Sequence, residues 1–237
     1  MSLFFILNAE VLSAVIRVMV VDDHELVRCG ISRIICDEPD MVAIAQAASG
    51  EEALRILRDL APKLAPDVVL MDVTMPGMSG METTQRISRL YPSVRIIALS
   101  AIDAGLIPTR LLRAGAVAFL SKNVSIIELM RAIRTVYIGH RYITHRLATR
   151  LAMDNVDDER SPFDALSERE LQVALMLIDC NSINTISDNL SLSPKTVYSY
   201  RYRIFEKLKI KNDSSLVMLA VKYGLCRADP VDMIAML

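Results

Sequence analysis

The stretch VMVVDDHELVR, residues 18–28, decides the fold of the first half of the chain. It is a short apolar run that ends in two adjacent carboxylates, Asp22 and Asp23, before a segment with helical spacing begins. Short runs of Val, Ile, Leu and Met are typical of strands buried on both faces of a sheet. The same order of apolar run, polar turn and helical stretch repeats along residues 17–138, so we expect alternating strands and helices.

Five apolar runs predict five strands, and the stretches between them carry apolar residues at helical spacing. Alternating strands and helices with short connections require right-handed crossovers, which give a parallel sheet with helices on both faces. The predicted fold class is therefore α/β, with a doubly wound five-stranded parallel sheet. The predicted strands are 17–21, 41–45, 67–71, 94–99 and 116–120.

The second half of the chain is predicted to be wholly helical. Ser167 and Glu170 form the pattern of a capping box at the start of a helix. A second helix and a short turn precede Ser193 and Pro194, residue types that are favoured at the cap and the first position of a third helix. The predicted boundaries are an N-terminal extension at 1–16, the α/β domain at 17–138, a linker at 139–162, a small all-α helix-turn-helix domain at 163–228 and a C-terminal tail at 229–237.

The overall composition predicts a soluble, cytoplasmic protein and, at first sight, disfavours a nucleic-acid partner. The 237 residues carry 27 basic and 28 acidic side chains, a net charge of −1. The longest apolar run has seven residues, 114–120, whereas a membrane-spanning helix needs about 20. Four cysteines lie far apart without a CxxC pair, so we expect buried thiols in a reducing compartment. They are Cys29, Cys36, Cys180 and Cys226.

Charged and hydroxyl side chains follow four of the predicted strands. Asp22 and Asp23 follow the first, Asp72 the third, Ser100 the fourth and Lys122 the fifth. Side chains at the carboxyl ends of parallel strands share one edge of the sheet. If the strand order is 2-1-3-4-5, the first and third strands flank the point where the winding reverses, and these groups should converge there. Three carboxylates repel one another unless a cation joins them, and an all-oxygen set suits Mg²⁺. Asp72 is then a candidate nucleophile towards a phosphoryl group, and Lys122 supplies a fixed ammonium.

Other interpretations of this pocket remain open at the level of sequence. Asp23 alone is explained as a helix cap, and Lys122 alone as a solvated surface residue. An aspartyl-phosphate phosphatase also places a nucleophilic aspartate after a parallel strand, but it needs a second acid two residues later, where this chain has Thr74. A phosphoryl-accepting α/β domain joined to an RNA-binding or enzymatic output is a further alternative.

The predicted third helix of the second domain, PKTVYSYRYRIFEKL at 194–208, is basic and amphipathic. Residues 195–211 hold six basic side chains against a single acid, Glu206, so the near-neutral total conceals a local charge of +5. A short helix and a three-residue turn precede it, as in a helix-turn-helix whose second helix enters the major groove. A solvated amphipathic helix is the alternative. The candidate DNA contacts are Lys195, Thr196, Val197, Tyr198, Ser199, Arg201, Tyr202, Arg203 and Lys207.

Four motifs, VMVVDDHELVR, VVLMDVTMPGMSG, IIALSA and GAVAFLSK, resemble those of the receiver domain of bacterial two-component response regulators. The resemblance implies that Asp72 accepts a phosphoryl group from a sensor histidine kinase. It also implies a switch that involves Ser100 and Phe119, with Lys122 contacting the phosphoryl group. Asn123 departs from the family, in which a proline commonly follows the lysine. The implied Mg²⁺ ligands are Asp22, Asp23, Asp72 and the main-chain carbonyl of Thr74.

The motifs LSERE and ISDNLSLSPKTV, followed by the basic helix, resemble the LuxR/NarL/FixJ output domain, and together with SPFDALSERE they are closest to the GacA/UvrY subgroup. The resemblance implies a transcription regulator rather than an enzyme. It also implies binding to double-stranded DNA as a homodimer, with promoters of small regulatory RNAs among the targets. From the short apolar runs we expect no membrane partner. Chains of this subgroup start near an Ile-Arg-Val sequence, here Ile16 to Val18. We therefore hypothesise that Val15 is the initiator and that residues 1–14 are a start-site misassignment.

Overall fold

The structure, a computed structural model, describes residues 15–60, 64–101, 106–144, 147–149 and 161–225. The N-terminal extension, most of the linker and the C-terminal tail lie outside the described residues, so the predicted domain boundaries stay predictions. The chain divides into two compact units, one of Met1–Ala101 and Leu111–Thr144 and one of Ile102–Arg110 and His145–Leu237.

The first unit contains a parallel sheet with the strand order β2-β1-β3-β4-β5-β6. The five predicted strands are confirmed, and one short strand is added at the edge. Neighbouring β1 and β3 are separated in sequence by β2, so the direction of winding reverses between them. The strands are β1 Ile16–Val21, β2 Met41–Ala47, β3 Val68–Asp72, β4 Arg95–Ser100, β5 Ala118–Ser121 and β6 Tyr142–Ile143.

Helices cover both faces of this sheet, as the doubly wound prediction requires. Apolar residues of α1 and α5 pack with the side chains of β1, β3, β4 and β5 that point to one face. Those of α2 and α3 pack on the opposite face. Serine side chains cap α2, α3 and α5 by accepting a hydrogen bond from the third amide of each helix. The helices are α1 Glu25–Cys36, α2 Gly50–Asp59, α3 Gly80–Leu90, α4 Ile107–Arg113 and α5 Ile126–Tyr137.

The sixth strand, β6, lies within the stretch that the sequence predicts to be linker. It pairs in parallel with β5, with Ala118 opposite Tyr142 and Phe119 opposite Ile143. The Tyr142 hydroxyl also donates to Glu128 Oε1 of α5 at 3.2 Å. A two-residue strand has no periodicity of its own, and it forms because the open edge of β5 offers unpaired backbone groups.

Residues 161–225 of the second unit contain four α-helices, preceded by a 3₁₀ turn at Pro162–Ala165. The Ser167–Glu170 capping box is confirmed, and Ser193 caps a helix that begins at Pro194. Ser191 adopts a left-handed conformation, with φ at 52°, in the turn before that cap. The helices are α6 Glu168–Ile178, α7 Ile183–Leu190, α8 Pro194–Leu208 and α9 Asp213–Lys222.

The expectation of buried thiols is wrong for the three cysteines that the structure describes. Cys29, Cys36 and Cys180 are all exposed. Cys29 and Cys36 share one face of α1, as their spacing predicts, but it is the solvent face, because Ile35 points into the core. Cys226 lies outside the described residues.

Within the described residues, no helix combines the length and the apolar character that crossing a bilayer requires.

Candidate functional site

The carboxyl ends of β1, β3 and β5 bring two acids and a lysine into contact. Asp22 follows β1, Asp72 is the last residue of β3, and Lys122 follows β5. The Lys122 Nζ lies 2.9 Å from Asp22 Oδ2 and 2.9 Å from Asp72 Oδ2. Only 2% of each carboxylate side chain is exposed. The predicted convergence of these three residues is therefore present, at the point where the winding of the sheet reverses.

A cluster of four side chains at this edge could hold a metal ion. Ligand atoms of Asp22, Asp23, His24 and Asp72 all lie within 4.8 Å of one another. Among the described residues, Asp23 Oδ1 and Asp72 Oδ2 are buried without a well-oriented hydrogen bond. His24 Nδ1 lies 3.0 Å from the first of these oxygens, and the Lys122 ammonium lies close to the second. Carboxylates brought this close together repel one another, and their oxygens are the ligand type that a hard cation prefers, so the pocket fits an ion such as Mg²⁺.

His24 is the member of this cluster that the sequence pattern does not single out. It directly follows the two predicted acids, and its main-chain amide donates to Asp22 Oδ1 at 2.9 Å. Its imidazole side chain is 67% exposed. Its position next to Asp23 is the one signal in the sequence, and that signal is weak because a histidine at the start of a helix commonly has no metal-binding role.

The pKa of Asp72 is raised to about 6, mainly by burial. The hydrogen bond and the charge of Lys122 lower it, and the charge of Asp22 raises it further. Burial by itself would lower the pKa of Lys122, but its hydrogen bonds to Asp22 and Asp72 raise that pKa above the usual value. The lysine therefore stays protonated and favours the ionised form of Asp72.

This pKa predicts how the stability of the chain depends on pH without divalent cations. Between the ordinary value of 3.8 and about 6, the unfolded chain releases the Asp72 proton while the folded chain keeps it. Stability contributed by this group therefore falls as pH rises. Relative to Asp72→Asn, the wild type should lose about 2 kcal/mol of unfolding free energy between about pH 4.5 and about pH 7. Urea unfolding of both proteins with a chelator at the two pH values measures this difference. An equal change in unfolding free energy for wild type and Asp72→Asn would refute the prediction.

The two residues expected to form a switch are both buried. Ser100 ends β4 and is 1% exposed, and its carbonyl accepts a hydrogen bond from the Lys122 amide at 2.8 Å. Phe119 of β5 is 3% exposed and pairs with Ala98 of β4 on one side and Ile143 of β6 on the other. Thr74 lies just beyond β3, where its amide donates to Asp72 Oδ1 at 3.2 Å.

Helix α8 presents most of the predicted DNA contacts at its surface. Tyr198 and Tyr202 are 57% and 66% exposed, large fractions for aromatic side chains. Thr196 is partly exposed, and its hydroxyl shares a hydrogen bond with the hydroxyl of Ser193, the N-cap of the helix. Val197 differs from the prediction, because it is fully buried in the core of the unit and its side chain cannot reach a base edge. The remaining surface residues are Lys195, Ser199 and Arg203.

Two of the predicted basic contacts on α8 are engaged inside the unit. Arg201 forms a two-pronged ion pair with Asp213 of α9, with its Nη2 at 2.7 Å from Asp213 Oδ2. The Lys207 ammonium lies 2.6 Å from Glu170 Oε2 of α6.

A doubly wound sheet with an acidic, lysine-containing pocket at its reversal point, together with a helix-turn-helix unit, defines a phosphorylation-controlled DNA-binding regulator. Comparison with known proteins agrees with this class. Residues 18–134 match the response regulator receiver domain, and residues 164–220 match the bacterial regulatory proteins of the luxR family.

Relatives match the chain over most of its length. Response regulator GacA of Pseudomonas viridiflava is 48% identical over 215 residues, which are 90% of this chain and 99% of that protein. Response regulator UvrY of Escherichia coli K12 is 45% identical over 216 residues, which are 90% and 97% of the two chains. The crystal structure of a LuxR-family two-component response regulator from Aurantimonas is 32% identical, with a TM-score of 0.55, and covers 60% of this chain and 99% of its own.

The chain belongs to the family of two-component response regulators with a LuxR-type DNA-binding domain, and GacA and UvrY are among its relatives. It takes a phosphoryl group from a sensor histidine kinase and controls transcription by binding DNA. Proteins of this family act as transcription factors rather than as enzymes.

Proposed function

We propose that Asp72 is the phosphoryl acceptor. One observation carries the proposal: the Lys122 ammonium lies 2.9 Å from both Asp22 and Asp72 at the reversal point of the sheet. An Asp72 carboxylate oxygen attacks phosphorus, the bond to the nitrogen of the donor histidine breaks, and that nitrogen keeps the electron pair. Lys122 remains beside the transferred group and compensates its charge.

The same pocket is proposed to bind Mg²⁺ through Asp22, Asp23, Asp72 and the main-chain carbonyl of Thr74. The close approach of the ligand atoms of Asp22, Asp23 and Asp72, all within 4.8 Å of one another, supports this assignment. A bound Mg²⁺ would neutralise the phosphoryl oxygens and lower the cost of bringing them to a carboxylate. Thr74 stands where an aspartyl-phosphate phosphatase needs a second acid, which favours a phosphorylated regulator over a phosphatase. We propose that the chain is a regulator and not itself an enzyme.

Ser100, Lys122 and Phe119 are proposed to convert phosphorylation into a conformational change. The phosphoryl group adds about −1.5 to −2 charges and three acceptor oxygens, which the Ser100 hydroxyl and the Lys122 ammonium can satisfy. Phe119 then changes its side-chain rotamer. Its strand neighbour Ile143 belongs to β6, which lies within the predicted linker. A rotamer change at Phe119 therefore acts directly on the start of that linker.

The second domain is proposed to bind DNA through the exposed surface of α8, as a homodimer in the cytoplasm. Its contacts include Lys195, Tyr198, Ser199, Tyr202 and Arg203, which point to solvent. We propose promoters of small regulatory RNA genes as targets, as the resemblance to the GacA/UvrY subgroup implies. The N-terminal extension, the two domains, the linker and the tail keep the boundaries predicted from the sequence.

Footprinting on duplex DNA with and without acetyl phosphate tests this function. The full-length chain should protect a two-fold symmetric site on the duplex, with half-sites about one helical turn apart. The extent of protection should change after treatment with acetyl phosphate. Single-stranded RNA of the same sequence is the control and should compete weakly. Protection of RNA alone, or no protection of any duplex containing the promoters of small regulatory RNA genes, would contradict the proposal.

A further inference from the structure

Arg201 of α8 is fixed in place by the first residue of the next helix. Its Nε donates to Asp213 Oδ1 at 2.9 Å and its Nη2 donates to Asp213 Oδ2 at 2.7 Å. The guanidinium also lies over the Phe205 ring, 4.5 Å from its centroid. A two-pronged pair of this kind fixes the plane of the guanidinium as well as its position. Only 31% of the Arg201 side chain is exposed.

The position of Arg201 on the helix agrees with these contacts. At 3.6 residues per turn, Arg201 lies only about 40° around the helix from the fully buried Val197. Ser199 and Glu206 lie on the far side, about 160° to 180° from Val197. Arg201 therefore points towards α9, along the edge of the core, and away from the surface that can enter a groove.

The opposite flank of α8 is held in a similar way. The Lys207 ammonium lies 2.6 Å from Glu170, which is 4% exposed and also accepts a hydrogen bond from the Ser167 amide. Two of the four cations on α8 are therefore paired with acids of neighbouring helices. The other two, Lys195 and Arg203, form no ion pair within the described part of the chain.

We infer that Asp213 is a positioning residue for DNA recognition, because its ion pair with Arg201 connects α8 to α9. We call this ion pair the strut. The inference rests on the proposed binding of DNA by α8. Arg201 then stabilises the orientation of the recognition helix and contributes no phosphate contact. If all four cations of α8 contacted phosphates in each protomer of a dimer, log K against log salt would have a slope of about −7. If only the two unpaired cations do so, the slope is about −4.

The test is a DNA titration with the full-length chain, using the footprinted duplex over a range of salt concentrations. Asp213→Asn and Arg201→Gln should each weaken binding about fivefold, with a slope that stays at the wild-type value. Their combination should weaken it no further. Arg203→Gln, by contrast, should reduce the magnitude of the slope by about 2 per dimer.

Glu206→Gln is the matched control for charge. Like Asp213→Asn it removes one negative charge, but Glu206 lies on the exposed face of α8 and has no ion-pair partner among the described residues. It should strengthen binding, whereas Asp213→Asn weakens it. A gain in affinity for Asp213→Asn, or a slope reduced by about 2 in Arg201→Gln, would overturn the inference.

Thermal unfolding separates this inference from the proposed function. If Arg201 and Asp213 form a strut, each single variant lowers the unfolding midpoint of the second domain by about 3 °C, and the double variant lowers it no more than either one. Additive losses would refute the strut even in a chain that binds no duplex. If the wild type binds no duplex but the losses are non-additive, the strut stands and the proposed DNA contacts fail.

Discussion

Replacing Asp72 with asparagine should abolish phosphorylation of the chain by acetyl phosphate and by a sensor kinase. Asparagine keeps the shape and can still accept a hydrogen bond from Lys122, but its amide lacks the carboxylate oxygen that attacks phosphorus. Incubation with labelled acetyl phosphate and Mg²⁺, followed by treatment with hydroxylamine to release acyl phosphate, measures the incorporated label.

Glu25→Gln is the control for this experiment, because Glu25 is an exposed acid that begins α1, outside the pocket. It should retain full labelling. Asp72→Asn should also remain folded, since removal of a buried carboxylate with a raised pKa does not destabilise the chain at neutral pH. Undiminished hydroxylamine-sensitive labelling of Asp72→Asn would place the acceptor on another residue.

Replacing Gly80 with alanine should strongly disrupt the first domain. A Cβ at Gly80, the first residue of α3, would lie 1.8 Å from the carbonyl oxygen of Asp72 and 2.8 Å from the Cα of Val73. Both neighbours are backbone at the end of the strand that carries the phosphoryl acceptor, so neither can move without displacing the pocket. We expect a loss of about 3 kcal/mol or more in unfolding free energy, together with the loss of phosphorylation.

Gly30→Ala is a matched control on another helix of the same domain. Gly30 lies within α1, and a Cβ there would meet no atom within 4 Å. Alanine is favoured over glycine in a helix interior, so this variant should gain about 0.5 to 1 kcal/mol. Urea unfolding measures both variants. Equal stability of Gly80→Ala and Gly30→Ala would show that α3 does not pack on Asp72 as described.

The acidic pocket could be predicted from the sequence because parallel topology brings strand ends to one edge. Asp22, Asp72 and Lys122 are up to 100 residues apart in the chain, yet each directly follows or ends an apolar run that could be assigned to a strand. Right-handed crossovers leave more than one strand order open, but with the order 2-1-3-4-5 the first and third strands are neighbours and their meeting requires no further information.

Features that depend on contacts between separate elements could not be predicted in the same way. Strand β6 forms only because the edge of β5 is open, and the exposure of Cys29 depends on which face of α1 meets the sheet. The partners of Arg201 and Lys207 lie on other helices, 12 and 37 residues away in sequence. The composition of α8 indicates a basic surface, but it contains no information on which cations are already paired.

The central claim is that a phosphoryl group on Asp72 controls DNA binding by the second domain. Fluorescence anisotropy with the footprinted duplex tests it most directly, using full-length wild type and Asp72→Asn before and after treatment with acetyl phosphate and Mg²⁺. The dissociation constant of the wild type should change about tenfold or more, and that of Asp72→Asn should not change. An equal response of the variant, or no response of wild type whose Asp72 carries measured phosphate, would contradict the claim.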